Sequence, residues 1–242
     1  MSKFDDIYVI MVGGIGARLR PYTYALPKPL LTANGISPLE KTINNILEEN
    51  TSNKIHLVVR YKKEIFRKWI KSKNIKNVIF VSEKKPLGTA GSLKKLLKKN
   101  FKNIILINGD LFFQIKFRKL INFHKEKNYE ATVCTKKNIT SIPYAILQKK
   151  NKKIIFKEKP KIQNVINAGI YVLSKNFLKK FFSSNVNKKK EKFDMPELIN
   201  FVTKKKLGIF DIGNKWIDIG NIYDYKKASR EINDAAAQGE NI

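Results

Sequence analysis

From Ile7 to Val12 every side chain is apolar or aromatic, and such an unbroken run reads as a strand buried on both faces of a parallel sheet. Strand-like runs then alternate with helical spacing. Residues 38–49 place apolar side chains at 39, 43, 46 and 47, one face of a helix. Residues 55–59 read as a second strand, 62–71 as a helix burying Ile65, Trp69 and Ile70, and 77–81 as a third strand. A helix over 90–99, a strand over 104–107 and a helix over 117–126 continue the alternation. Four rounds of strand and helix predict a Rossmann-like α/β fold: a mostly parallel, mixed sheet with helices on both faces and ligands outside the carboxyl ends of its strands. After residue 128 the pattern changes to short strands at 129–135, 144–148, 153–156 and 166–173, with turns between them and no long helices. This predicts a β-rich half laid on the same sheet, closed by a helix over 223–232. The organisation expected is one domain, 1–234, with halves at about 7–128 and 129–234. The tail 235–242 has no apolar face and is expected to fray.

Composition narrows the class. A chain of 242 residues with 43% hydrophobic content can bury a full core. No apolar run approaches the roughly 20 residues that span a bilayer, and the opening residues lack a secretion signal's apolar stretch. No membrane insertion is expected. Cys134 is the lone cysteine, set in an apolar alternation; it reads as a core filler, and its isolation suits a reducing cytoplasm. The net charge of +29 would suit nucleic acid, yet the lysines are spread along the whole chain, and the run Lys188–Lys190 is followed by Glu191. A field that attracts polyphosphate substrates, and no nucleic-acid partner, is the expectation. His56 and His124 have no partner spacing for a metal.

The chemistry begins where the first strand ends. Gly13, Gly14 and Gly16 leave a backbone free of side chains, on which several N–H groups can converge on an anion. Arg18 follows at once, and Lys28 is held between Pro27 and Pro29. A dinucleotide loop starting at Gly14 fails because position 19 is Leu19, and a Walker A loop fails on Arg18 and Leu19. Two later stretches fall at carboxyl ends of predicted strands. Residues 82–92 run Ser-Glu-Lys-Lys-Pro-Leu-Gly-Thr-Ala-Gly-Ser, and residues 105–111 run Ile-Leu-Ile-Asn-Gly-Asp-Leu. Gly88 would let a base lie flat against backbone, and Thr89 is typed to cap the helix that follows. Glu83, if ionised, can accept from the two adjacent donors of guanine, N1–H and the exocyclic amine.

Gly-Gly-x-Gly-x-Arg-Leu-x-Pro-x-Thr followed by Pro-Lys-Pro-Leu resembles the opening of the sugar-1-phosphate nucleotidyltransferases. Pro-Leu-Gly-Thr-Ala-Gly, Asn-Gly-Asp, Glu158-Lys159-Pro160, Asn167-x-Gly169-x-Tyr171 and Trp216-x-Asp218-x-Gly220 resemble further stretches of that family, in family order. The resemblance covers residues 9–225. It implies a nucleotidyl transfer from a nucleoside triphosphate, GTP favoured through Glu83, to a sugar 1-phosphate, with NDP-sugar and pyrophosphate as products. Arg18 and the loop amides of Gly13, Gly14 and Gly16 would hold the β- and γ-phosphates, with Glu83, Gly88 and Thr89 against the base and ribose. Asp110 and Asp218 would share Mg²⁺, Lys28 would act at the α-phosphorus and Lys159 on the sugar phosphate. Asn108, Glu158, Asn167 and Gly169 would line the sugar, together with Ala145, where relatives usually carry glycine. Ala17, where threonine is common, is a second departure. UTP, dTTP or CTP use, or a non-catalytic regulatory homologue, are the alternatives. Some members carry a regulatory domain before this one, so such a domain beyond this chain is an expectation too. Mannose-like, heptose and amino-sugar phosphates all fit these motifs.

Overall fold

A computed structural model of the chain describes residues 5–50, 52–150 and 153–238. In chain order its strands are β1 (Ile7–Met11), β2 (Ile55–Val59), β3 (Val78–Ser82), β4 (Asn103–Asn108), β5 (Leu111–Phe113), β6 (Ala131–Ser141), β7 (Ile146–Lys150), β8 (Lys153–Lys157), β9 (Lys161–Ser174), β10 (Leu207–Asp211) and β11 (Trp216–Asp218). The helices are α1 (Tyr22–Ala25), α2 (Pro38–Glu49), α3 (Lys63–Ser72), α4 (Gly88–Gly91), α5 (Leu93–Leu96), α6 (Phe117–Glu126), α7 (Lys175–Ser183), α8 (Met195–Asn200) and α9 (Ile222–Ala237).

Seven strands form one sheet in the order β10-β6-β9-β4-β1-β2-β3. β3, β2, β1 and β4 are mutually parallel, β6 and β10 pair in parallel, and β9 runs antiparallel between β4 and β6. Both faces are covered, as expected. α2, α3 and α6 seal one face through Leu39, Ile43, Phe66, Ile70 and Leu120. α4, α5, α7 and α8 seal the other through Leu93, Leu96, Phe177, Phe181 and Leu198. The chain leaves β1 toward β2 and β3 on one side, then returns to place β4 on the other. The sheet's switch point therefore lies between β1 and β4, where Met11 pairs with Asn108.

The second half completes the same sheet, and among the described residues no helix interrupts its strands from 131 to 174, as expected, but three expectations change. Beyond those strands come two helices that the pattern did not anticipate, α7 and α8. Ser174 caps α7 by accepting from the Phe177 amide at 3.3 Å, and Phe177, Leu178, Phe181 and Phe182 form its buried face. A helix over 90–99 is replaced by the short turns α4 and α5, because Gly88, Thr89 and Ala90 are tied to residues 193–195. β6 and β9 are longer than predicted. Beyond the bulge where residues 168–170 oppose Cys134, residues 135–141 pair with 161–167 in a ribbon that leaves the core. The tail's first residues, 235–237, continue α9, while 239–242 lie outside the described residues. β5, β10 and β11 were not anticipated by the pattern. Cys134 is fully buried, and burial pushes its thiol far above the usual range, as a core filler requires.

Candidate active site at the carboxyl ends of β1 and β4

The glycine loop is held open by a contact its own motif supplies. Gly16 has φ +65°, and a Cβ there would lie 2.8 Å from Thr23 Cγ2. Buried Thr23 donates its hydroxyl to the Gly16 carbonyl at 2.9 Å. The loop then turns through a 3-10 segment, Ala17–Leu19, anchored by buried Leu19, which leaves Arg18 exposed to solvent. Gly109 approaches the start of the same loop. Its amide donates to the Met11 carbonyl at 3.0 Å, and a Cβ there would meet Val12 Cγ1 at 2.5 Å. Glycine at 109 thus lets Asp110 stand directly beside the loop.

Lys28 and two carboxylates form the centre. The Lys28 side chain, 11% exposed, emerges from the 3-10 turn Lys28–Leu30 and is ion-paired with Asp110 Oδ2. Its Nζ also lies 3.7 Å from Asp218 Oδ1. Asp218 comes from β11, which pairs antiparallel with β5 so that Asp218 stands opposite Leu111. The register brings a residue 108 positions later to the side of Asp110, and the Ile219 amide donates to the Asp110 carbonyl at 3.2 Å. Burial, then the Asp110 charge, pushes the Asp218 carboxyl above its usual range, with Lys28 pulling it back. Asp218 Oδ1 is buried without a hydrogen bond. A buried carboxylate oxygen without a hydrogen bond is costly, and the Lys28 ammonium at 3.7 Å is the positive charge that faces it.

The nucleotide-side residues gather as expected. A cavity of about 320 Å³ is lined by Gly13, Gly14, Glu83, Gly88, Thr89, Asn108 and Asp110, with Met11, Arg60, Pro86 and Leu87. A smaller one of about 80 Å³ adjoins it, lined by Gly14, Gly16, Lys28 and Asp110. Three sequence-distant stretches thus meet at one edge. Burial raises the Glu83 carboxyl above its usual range, against Lys95 and Arg60, and its Oε1 is buried without a hydrogen bond.

Thr89 does something other than the sequence suggested: it does not cap α4, whose N-cap position is Leu87. It serves α8 instead: its Oγ1 accepts from the Met195 amide at 2.8 Å, and its own amide donates to Asp194 Oδ1 at 3.1 Å. Gly88 lines the cavity and, at φ +78°, also packs so closely that a Cβ there would overlap the Phe193 carbonyl.

The residues assigned to the sugar divide into two groups. Asn108 and Gly169 touch: a Cβ on Gly169, φ +72°, would come within 2.6 Å of Asn108 Nδ2. Asn167 Oδ1 accepts from the Gly169 amide at 2.9 Å and its Nδ2 donates to the Tyr171 hydroxyl at 2.5 Å. The Trp216 indole donates to the Ala168 carbonyl at 2.9 Å, which fixes the bulge of β9 beside β11. Ala145, Glu158 and Lys159 stand apart on the exposed β7–β8 hairpin and the turn into β9, with Lys159 in left-handed backbone at φ +40°. Residues the motifs did not single out are Arg60, Asp194 and Gly109. Arg60 was signalled only by its place, the first cation after the apolar run of β2. His56 and His124 are buried, burial lowers both to about 4, and no cluster of three metal-ligating side chains occurs among the described residues.

No helix among the described residues is long and apolar enough to cross a membrane. Mannose-1-phosphate guanyltransferase 2 of Candida glabrata is 33% identical over 230 residues, 90% of this chain and 62% of that protein. The mannose-1-phosphate guanyltransferase of Schizosaccharomyces pombe is 32% identical over 90% of this chain and 61% of its own length. The chain thus spans about three fifths of the curated relatives it matches. Among solved structures, HddC from Yersinia pseudotuberculosis superposes with a TM-score of 0.68 at 25% identity, covering 94% of this chain and 99% of that one. A Bacillus anthracis chain crystallised in complex with sucrose gives a TM-score of 0.73 at 18% identity, covering 95% and 96%, a likeness of fold. A family model described as nucleotidyl transferase matches residues 7–235, and the chain belongs to that family.

Proposed function

We propose that this chain transfers a guanylyl group from GTP to a sugar 1-phosphate, releasing pyrophosphate. The observation that carries the reading is Lys28 held against both Asp110 and Asp218 where the glycine loop meets the end of β4. Joining two phosphate anions demands fixed positive charge and a site for a hard cation, and both are provided for at one point. The relatives, which are mannose-1-phosphate guanyltransferases, support guanine and make mannose 1-phosphate the first sugar to test.

In the reaction proposed, a sugar phosphate oxygen attacks the α-phosphorus and pyrophosphate leaves in line. The nucleophile is already an anion, so neither a general base nor a covalent intermediate is needed, and positioning and charge neutralisation supply the rate. Arg18, exposed at the rim, and the open amides of Gly13 and Gly14 would take the β- and γ-phosphates. Lys28, freed from the carboxylates as phosphates enter, would meet charge developing at the α-phosphorus. Asp110 and Asp218 would hold Mg²⁺, which a pair of carboxylates plus phosphate oxygens commonly binds, and the ion would neutralise the two approaching phosphates. The orphaned Oδ1 of Asp218 fits that role. Asn108 and Gly169 would meet the sugar, and Lys159 would reach its phosphate from the ribbon.

The test is pyrophosphate release with Mg²⁺, crossing GTP, ATP, UTP, CTP and dTTP with mannose, glucose, heptose and hexosamine 1-phosphates. Release with GTP and one of these sugars is expected. Release with another triphosphate alone would discard the guanine reading, and binding without release would discard catalysis.

A further inference from the structure

Arg60 has no place in the chemistry above, yet it lines the nucleotide cavity. It follows β2 directly, and Glu83 follows β3 directly. Since Val59 and Ser82 are register partners, Arg60 and Glu83 stand side by side at the carboxyl ends of two adjacent parallel strands. The Glu83 amide donates to the Val59 carbonyl at 3.0 Å, which continues the ladder one step and holds that juxtaposition. Both flank the same glycine: a Cβ on Gly13 would lie 3.3 Å from Glu83 Oε2 and 3.5 Å from Arg60 Cβ. Gly13 therefore keeps the floor between them clear. Arg60 is half-buried and, among the described residues, in no ion pair within 4 Å, while Glu83 presents a buried, unpartnered Oε1. An acceptor-only group and a forked donor thus face one cavity about a strand spacing apart, roughly 4.8 Å.

Guanine carries complementary groups along one continuous edge. N1–H and the exocyclic amine are two adjacent donors, and O6 and N7 are two adjacent acceptors. A carboxylate satisfies the first pair, and a guanidinium fork satisfies the second with the geometry arginine uses against guanine elsewhere. We propose that Arg60 is a specificity-determining residue that donates its guanidinium fork to O6 and N7 of the guanine while Glu83 accepts from N1–H and the amine. The proposal rests on the GTP reading above and adds the residue that makes it exclusive. Adenine would set its 6-amine against the guanidinium, and a pyrimidine offers no N7. Burial pushes the Glu83 carboxyl up, and Lys95 first and then Arg60 favour its ionised form.

The experiment uses nucleotide analogues that each lose one feature. 7-Deaza-GTP lacks only the N7 acceptor, and ITP lacks only the exocyclic amine. Calorimetric titration of each triphosphate, without sugar phosphate, into the wild-type chain, Arg60→Ala and Arg60→Lys reads affinity independently of turnover. The wild type is expected to bind GTP more tightly than either analogue. Arg60→Ala should weaken GTP by about tenfold or more, the scale of one bidentate base contact. It should also bind GTP and 7-deaza-GTP alike while keeping its penalty against ITP. Arg60→Lys, whose ammonium can still donate to O6 and N7, should keep part of the preference for GTP over 7-deaza-GTP that Arg60→Ala loses, and it separates loss of the contact from loss of fold. An Arg60→Ala chain that retains the full GTP preference over 7-deaza-GTP overturns the proposal. Failure of the guanine reading itself shows earlier and differently, as a wild-type chain that does not prefer GTP over ATP or UTP.

Discussion

The two ends of the cleft are built by opposite means. Around the glycine loop, position is set by backbone packed against backbone. Gly16 lies under Thr23, Gly109 lies under Val12, and Gly88 lies against the Phe193 carbonyl, so a single methyl group in any of these places collides. The β6–β9 ribbon and the β7–β8 hairpin are held mainly by strand pairing, and they leave Tyr144, Leu147, Ile154 and Phe156 exposed by 64–74%. A triphosphate of fixed shape can be met by a rigid, preformed edge. Glu158 and Lys159 sit on the looser element, where side chains can change without cost to the fold. The lesson is one of construction: the loop edge is fixed by steric contact between backbone segments, and the ribbon and hairpin mainly by strand pairing.

The sharpest way to break this contrast is to remove charge from the rigid end. Asp110→Asn should lower turnover by about 10²–10³-fold or more, the scale of a lost electrostatic contact in a preorganised site. Its thermal midpoint should stay near that of the wild type, because Lys28 retains Asp218; near-normal turnover would remove Asp110 from the metal role. Steric precision is tested next by a pair of glycines. Gly88→Ala meets the Phe193 carbonyl at φ +78° and should cost about 2 kcal/mol or more in stability, with a raised KM for the triphosphate. Gly14→Ala finds nothing within 4 Å and should leave the denaturation midpoint unchanged.

On the loose end, Lys159→Ala should raise the KM for the sugar phosphate several-fold while leaving the KM for GTP and the melting curve alone. Equal effects on both substrates would mean that the halves are not separable. Acid should also act unevenly. His56 and His124, both in the first half, have folded values of about 4 against an ordinary 6.5. The unfolded chain takes up these protons first, so their contribution to stability is complete above pH 6.5 and is lost as pH falls toward 4. Urea midpoints should fall through that window, and His124→Asn, whose amide stands where the ring Nδ1 meets the Thr132 hydroxyl, should flatten the fall. The smallest effect belongs to the hairpin: the double change Leu147→Ser with Phe156→Ser should move stability by less than about 0.5 kcal/mol, since both side chains already face solvent. A large loss there would show that the hairpin is packed and not loose.

Several of these features could be read before the fold was known. The apolar run of β1, the helical spacing of α2 and the alternation through α6 are one-dimensional patterns, and each of these elements except the helix over 90–99 formed close to its expected bounds. α7 was equally legible, with Phe177, Leu178, Phe181 and Phe182 on helical spacing behind Ser174. β10 and β11 were not legible, because three to five residues carry too little periodicity and their partners are distant. The length of the β6–β9 ribbon was hidden because two polar strands satisfy each other's backbone without an apolar signal.

For the site, the sequence determined which chemical groups are present, the glycine loop, Arg18, Lys28, Asp110 and Asp218, and for the glycine loop and Asp110 it determined at which strand ends they fall. These follow from local pattern, since a strand's carboxyl end and a glycine's freedom belong to the few residues that make them. Only the tertiary structure decided who meets whom. It set Asp218 beside Lys28 through the β5–β11 pairing, turned Thr89 from a helix cap into an anchor for α8, and stood Arg60 next to Glu83. Such meetings depend on register between strands far apart in the chain, and register is a property of the packed sheet rather than of any segment within it.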